Sequence, residues 1–251
     1  MNKLTAIIPT KNEINNIEAA IVSVSFANEI LVIDSFSDDG TFEKAKTLAT
    51  TIIQRPFVSY SSQKNYAISQ AKYDWILLLD ADERVTEELK LEITSILKKQ
   101  TIAHNAFNIK RINHFMGQRV NYSGWRNDSV IRFFKKNKCQ YDSRLVHEVL
   151  KVEGSTGKLK GKFLHFSYKN FDHYMIKMNH YATLQARDYN KKTGKLTPYH
   201  FIVKPFWGFF KHYIIQSGFR DGVVGLTIGF IQGYVVFMRY VKLWLLRRSR
   251  K

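Results

Sequence analysis

Asp80-Ala81-Asp82 is the sharpest chemical feature of the chain: alternate carboxylates at a strand end or turn can face one divalent cation that bridges two phosphates. Hard Mg2+ or Mn2+ takes oxygen ligands and keeps positions for phosphate and water, so the chemistry implied is the handling of a diphosphate. Taken alone, the triplet equally fits a solvated acidic turn ahead of a helix starting near Thr86. A second acidic strand end lies at Asp34, which taken alone also fits a loop or capping residue. The polar loop Ser35-Phe36-Ser37-Asp38-Asp39-Gly40 follows it.

These carboxylates need a scaffold, and the first hundred residues supply an alternating one. Leu4-Thr5-Ala6-Ile7-Ile8-Pro9 reads as a strand, Ile14 to Phe26 has helical spacing, and Glu29 to Asp34 makes a second strand. A helix from Thr41 to about Ala49, a brief strand near Thr51 to Gln54 and a helix over Ser61 to Ala71 come next. Trp75-Ile76-Leu77-Leu78-Leu79 is a continuous apolar run that suits a strand buried on both faces. The β-α-β-α-β order predicts a parallel sheet with crossover helices. Ligands of such sheets bind beyond the carboxyl ends of the strands, where Asp34 and the Asp80/Asp82 pair both fall. From Phe107 to Lys169 short alternating stretches predict a mixed or antiparallel extension of the sheet. Beyond Asn170 a long helix is expected, stopping near Gly194.

Charge is unevenly spread. Residues 1–100 hold 11 Lys+Arg against 14 Asp+Glu, whereas residues 101–251 hold 28 against 7. The basic part attracts polyanions: nucleic acid, anionic lipid or a phosphorylated glycolipid. The tail from Pro198 is aromatic and apolar. Its uncharged stretch between Asp221 and Arg239 carries Gly222, Gly225, Gly229 and Gly233, and fits either a short span or an interfacial helix. The terminal Leu-Trp-Leu-Leu-Arg-Arg-Ser-Arg-Lys combines aromatic and basic groups as headgroup anchors do. The single cysteine, Cys139, cannot form an internal disulfide, and the opening residues lack a leader pattern; a reducing cytoplasm is expected.

Pro9-Thr10-Lys11-Asn12-Glu13, Val32 to Thr41 and Asp80-Ala81-Asp82 together resemble the family 2 glycosyltransferases of the GT-A fold. Ser62-Gln63-Lys64-Asn65, the segment from Gly124-Trp125 to Arg132-Phe133-Phe134, Val146-His147-Glu148-Val149 and Leu164-His165-Phe166-Ser167-Tyr168 extend the resemblance. They look like the branch that includes lipopolysaccharide core β-glucosyltransferases, and the likeness covers nearly the whole chain. It implies an α/β fold, a Rossmann-like mixed sheet with helices on both faces, over residues 1–195. Residues 1–100 would bind the nucleotide sugar, 101–195 would carry the acceptor side, and 196–251 would form a helical tail associating with the membrane.

The same resemblance assigns roles. Pro9, Thr10, Asn12, Glu13, Asp34, Lys64, Asp80 and Ala81 would bind the nucleotide sugar, with Thr10, Glu13 and Asp34 at the base and ribose and Lys64 near the diphosphate. Asp82 and His165 would hold Mn2+ or Mg2+. Many relatives have two aspartates at the end of the second strand where this chain has Asp34-Ser35, so Asp34 inherits its role more firmly than Asp38 or Asp39 does. An inverting transfer needs a base for the acceptor hydroxyl. Glu148 is the first choice and Asp128 its rival, while Trp125, Asp128 and Arg132 fall on the acceptor side. A UDP-sugar donor, UDP-glucose first, and a glycolipid or oligosaccharide acceptor are implied. The expected setting is the cytoplasmic face of a bacterial inner membrane, with an anionic lipid surface as partner. Nucleic acid is not expected, since it would leave the acidic crevice without a purpose.

Overall fold

Short apolar runs cut by turn residues become the strands of one sheet in the computed structural model, which describes residues 2–142, 149–168 and 170–249. Strands β1 (Leu4–Thr10), β2 (Glu29–Asp34), β3 (Thr51–Gln54) and β4 (Trp75–Leu78) alternate with helices α1 (Ile14–Ser23), α2 (Thr41–Leu48) and α3 (Tyr60–Gln70). β1 lies between β2 and β4, and β2 pairs with β3, all in parallel. β1, β2 and β4 are buried on both faces. Ala6, Ile8, Val32 and Leu77 join one apolar cluster, and their neighbours Ile7, Leu31, Ile33, Ile76 and Leu78 join the other. That accounts for apolar runs without alternation.

The sheet continues with β5 (Glu83–Val85), α4 (Glu87–Leu97), β6 (Ala106–Phe115), β7 (Gln118–Arg119), β8 (Ser129–Lys135), β9 (Cys139–Tyr141), β10 (Leu150–Val152) and β11 (Thr156–Phe166). Its order is β3-β2-β1-β4-β8-β6-β11-β5, with β7 on β6, while β9 and β10 form a separate pair. β8 runs antiparallel to both β4 and β6, so the expected mixed extension is present. Thr86 caps α4 by accepting from the Leu89 backbone N–H. Gly161 of β11 lets that helix approach, because a Cβ there would sit 2.3 Å from Leu89 Cα.

Two compact units divide the chain: residues 1–112 with 128–165, and residues 113–127 with 166–251. The second contains α5 (Phe171–Asn190), α6 (Pro198–Phe201), α7 (Val203–Phe210), a π-turn over Lys211–Ile215, and α8 (Gly222–Arg248). The uncharged stretch is thus part of a longer helix of 27 residues. By length and composition α8 and the turn before it are apolar enough to cross a membrane, with mean hydropathy 1.5. Its glycines are contact points. A Cβ at Gly225 would lie 1.8 Å from the Gly218 carbonyl oxygen and one at Gly233 would lie 2.9 Å from that of Pro205.

Candidate functional site

The loops after β1 and β2 are tied to one another at the carboxyl edge of the sheet. The Asn12 backbone, with φ at +55°, donates its N–H to Ser37 Oγ at 2.9 Å. Asp38 N–H returns to Asn12 Oδ1 at 3.1 Å, and Glu13 N–H donates to Thr41 Oγ1 at 2.8 Å. Asp34 closes this arrangement. Its carboxylate is 0% exposed, and Oδ2 accepts from Ser37 N–H at 2.9 Å and from Gln54 Nε2 at 3.2 Å. Here Asp34 shapes the loop. Thr10, opposite Asp34 in register, has a buried hydroxyl with no hydrogen-bond partner among the described residues, and Pro9 before it is half-buried.

Beyond β4 the chain turns sharply. Leu79 N–H still donates to Ile7 O at 3.1 Å, then Glu83 N–H donates to Asp80 O at 2.9 Å, closing Asp80-Ala81-Asp82 into a tight turn. Glu83 Oε2 accepts from Asp80 N–H at 2.9 Å, and Arg84 Nη1 donates to Ala81 O at 2.7 Å. β5 then pairs antiparallel with β11, setting His165 opposite Glu83. That register brings Asp82 Oδ2 to 3.6 Å from His165 Nε2, both side chains partly open to solvent.

This pair fits a divalent cation in its donor chemistry. A carboxylate oxygen and an imidazole nitrogen at this separation can share one ion, filling two of about six positions. Among the described residues no group of three or more His, Cys, Asp or Glu side chains is placed to hold a metal. A cation here would take its remaining ligands from phosphate and water, as an open catalytic site does.

Behind the pair lies a buried charge network. Arg132 Nη2 donates to Asp80 Oδ2 at 2.6 Å and its Nη1 to the Tyr141 hydroxyl at 3.3 Å. Arg111 holds Asp128 through Nε at 2.9 Å and Nη2 at 2.7 Å, and reaches Glu83 Oε1 through Nη1 at 3.2 Å. Lys64 is buried with its ammonium 5.2 Å from the Tyr141 ring centre. Asn65 sets that tyrosine by pairing with its backbone, giving to O at 2.9 Å and accepting from N–H at 3.0 Å. Burial alone would raise the Asp80 carboxyl, but Arg132, then Lys64 and Arg111, hold it well below the ordinary carboxylate range. Burial, followed by the charge of Asp80, pushes the Glu83 carboxyl up against the pull of the same arginines.

Asp80→Asn should therefore destabilise the protein, because it leaves a buried guanidinium without its counter-charge. The Asp80 side chain is 36% exposed. Solvent screening therefore trims the cost to about 2 kcal/mol. A carboxyl lowered on folding contributes stability above its ordinary value of 3.8, and that contribution fades as pH falls below it. Denaturant melts of both proteins at neutral and acid pH check this: the gap should narrow toward acid.

Of the residues singled out from sequence, Lys64, Asp80, Ala81, Asp82, Asp128, Arg132 and His165 all belong to the first unit. Arg132 and Asp128, expected on the acceptor side, are engaged by Asp80 and Arg111 respectively. Trp125 belongs to the second unit, where its ring packs 6.1 Å from Phe115 and 6.3 Å from Tyr168. Glu148 lies outside the described residues. Glu83, Arg111 and Tyr141 were not anticipated. The only signal for Glu83 was its place directly after Asp82.

Comparison with known proteins agrees with this architecture. The model of the family described as glycosyl transferase family 2 matches residues 5–149. A glycosyltransferase of Rickettsia felis, uncharacterized in function, is 32% identical over 97% of this chain and 90% of its own length. The lipopolysaccharide core biosynthesis glycosyltransferase LpsC of Rhizobium meliloti is 27% identical over 94% of this chain and 93% of its own. The crystal structure of S. aureus TarS residues 1–349 with UDP-GlcNAc shares the fold at a TM-score of 0.50 and 14% identity, covering 96% of this chain and 92% of that one. The sheet that carries the acidic turn is thus a GT-A scaffold, and the chain is a glycosyltransferase belonging to glycosyl transferase family 2.

Proposed function

We propose that the chain transfers a hexose with inversion from a UDP-sugar, UDP-glucose first, to a glycolipid or oligosaccharide acceptor in lipopolysaccharide core or cell-surface glycan assembly. The observation that carries this reading is the pairing of Asp82, which follows β4 inside the matched family region, with His165 of β11 beyond that region, beside Lys64 and the Asp80 turn. The name of LpsC favours a lipopolysaccharide acceptor, and the TarS complex holds a UDP-sugar on a similar fold.

The uridine would lie against Pro9, Thr10, Asn12 and Glu13, on the loop that Asp34 organises, with the unpartnered Thr10 hydroxyl available as a donor. Asp82 and His165 would hold Mn2+ or Mg2+. When bound, that cation offsets the negative charge of the departing diphosphate. Lys64 adds a fixed positive charge from its buried position. Glu148 takes the acceptor hydroxyl proton as the new oxygen bond forms at the anomeric carbon, opposite the breaking bond to UDP. Asp80 and Arg132 keep the turn rigid. Catalysis is assigned to residues 1–195 and attachment to the cytoplasmic face of the inner membrane to residues 196–251.

Calorimetric titration of UDP, GDP and CDP, with Mn2+ and with chelator, tests the donor site. Binding of UDP that requires the metal is expected. A folded protein that ignores every nucleotide would overturn the reading.

A further inference from the structure

The segment from α6 to the π-turn is built inside out. Its inward residues Pro205, Gly208 and Phe209 meet the glycine face of α8, where a Cβ on Gly208 would lie 3.4 Å from Gly233 Cα. Several of its large apolar side chains point away: Ile202 is 68% exposed, Phe206 65% and Trp207 54%, and Tyr199, Val203 and Ile214 are exposed with them. Residues 199, 202, 203 and 206 share one helical stripe. Soluble proteins rarely leave so continuous an aromatic face to water.

Charge selects the occupant. Residues 166–251 hold 15 Lys+Arg against 3 Asp+Glu, so a second copy would bring the same strong positive charge to the face. An anionic bilayer supplies the opposite sign. Lys191, Lys192 and Lys195 are exposed just before the stripe, and Lys211 is exposed just after it. Tryptophan, tyrosine and lysine beside phenylalanine and isoleucine suit the headgroup boundary.

The helix that composition singles out as a span is instead packed on α5, whose Tyr174, Met178 and Ala182 cluster with Val224, Ile228, Ile231 and Val235, and it is hydrogen-bonded to α5 toward its carboxyl end. Arg239 Nε donates to Gln185 Oε1 at 2.9 Å, Lys242 Nζ to Thr183 Oγ1 at 2.6 Å, and Arg247 Nε to Asn190 Oδ1 at 2.9 Å. α5 also carries Asp172, Lys177, Arg187 and Asp188. Passing α8 through a bilayer would draw these groups into hydrocarbon or strip α5 away. We propose that the α6–α7 face is the membrane anchor, lying in the plane of an anionic bilayer with Ile202, Phe206 and Trp207 in the acyl boundary, and that α8 is its buttress and crosses nothing. This deepens the membrane assignment made above and is independent of donor and acceptor.

The test uses the full chain with vesicles of phosphatidylethanolamine and phosphatidylglycerol, and with neutral phosphatidylcholine vesicles. The variant Ile202→Ser/Phe206→Ser/Trp207→Ser, altered only at outward side chains, should bind the anionic vesicles about a hundredfold more weakly than the parent. Circular dichroism and UDP titration should be unchanged. Brominated lipid should quench parent tryptophan fluorescence, and Trp207→Phe should remove much of that quenching. Equal vesicle binding by parent and variant, or none by the parent, overturns the proposal. So does a parent dimer that the variant dissolves without any vesicle binding, which would make the face a contact between copies. Loss of UDP binding alone would sink the donor reading and leave this one standing.

Discussion

Asp82→Ala is expected to abolish Mn2+-dependent UDP binding and to lower kcat/KM by about a thousandfold, roughly 4 kcal/mol of transition-state stabilisation, while leaving the melting temperature in place. The two halves of that expectation come from different features of one turn. Asp82 is partly open, and its contact with His165 at 3.6 Å is long for a hydrogen bond, so little folding energy rests on it. Asp80, two residues earlier, is bound at 2.6 Å by a buried arginine and carries the structural duty. Alternate residues of the same triplet thus divide the work. Asp80→Asn should lose stability first, and Asp82→Ala should lose ligand first. Calorimetry with Mn2+ and with chelator, paired with thermal melts, separates them. UDP binding that survives both chelator and Asp82→Ala would remove the metal from the mechanism.

Why some of this was legible and some was not follows from how far apart the interacting residues lie in sequence. The parallel half was readable because β1, β2 and β4 are buried on both faces and end in turn residues, so local pattern and burial agree. The antiparallel half was readable only as a class. β11 inserts between β6 and β5, an order that no local signal encodes. That insertion is what brings His165 to Asp82, so their proximity came from family resemblance and not from spacing. Arg132 shows the same limit. Ile76 pairs with Phe134 and Leu77 with Phe133, which places Arg132 beside the end of β4 and within reach of Asp80. The family resemblance puts Arg132 on the acceptor side. In the tail, the uncharged stretch drew attention to α8, while the aromatic run of α6 and α7 has a composition that would suit a core equally well. Exposure alone distinguishes the two.

Glu148→Gln should lower kcat by about a thousandfold with donor KM and UDP binding unchanged, because a general base acts on the acceptor proton and not on the nucleotide. Asp128→Asn should behave in the opposite way. Both Asp128 oxygens are engaged by Arg111, at 2.9 and 2.7 Å, and Arg111 in turn reaches the buried Glu83. A proton taken by a carboxylate that accepts from a guanidinium fork weakens two charge-assisted bonds, so this arrangement suits a brace better than a base. Its loss should cost about 2 kcal/mol of stability, since the Arg111 charge would then be shared by Glu83 alone. Activity per folded molecule should fall less than about tenfold, the scale of a positioning defect. Steady-state kinetics with pH profiles, set beside denaturant melts of both variants, decide between the two carboxylates. Asp128→Asn that keeps its stability and loses kcat together with the acidic limb of the profile would transfer the base to Asp128 and take that role from Glu148.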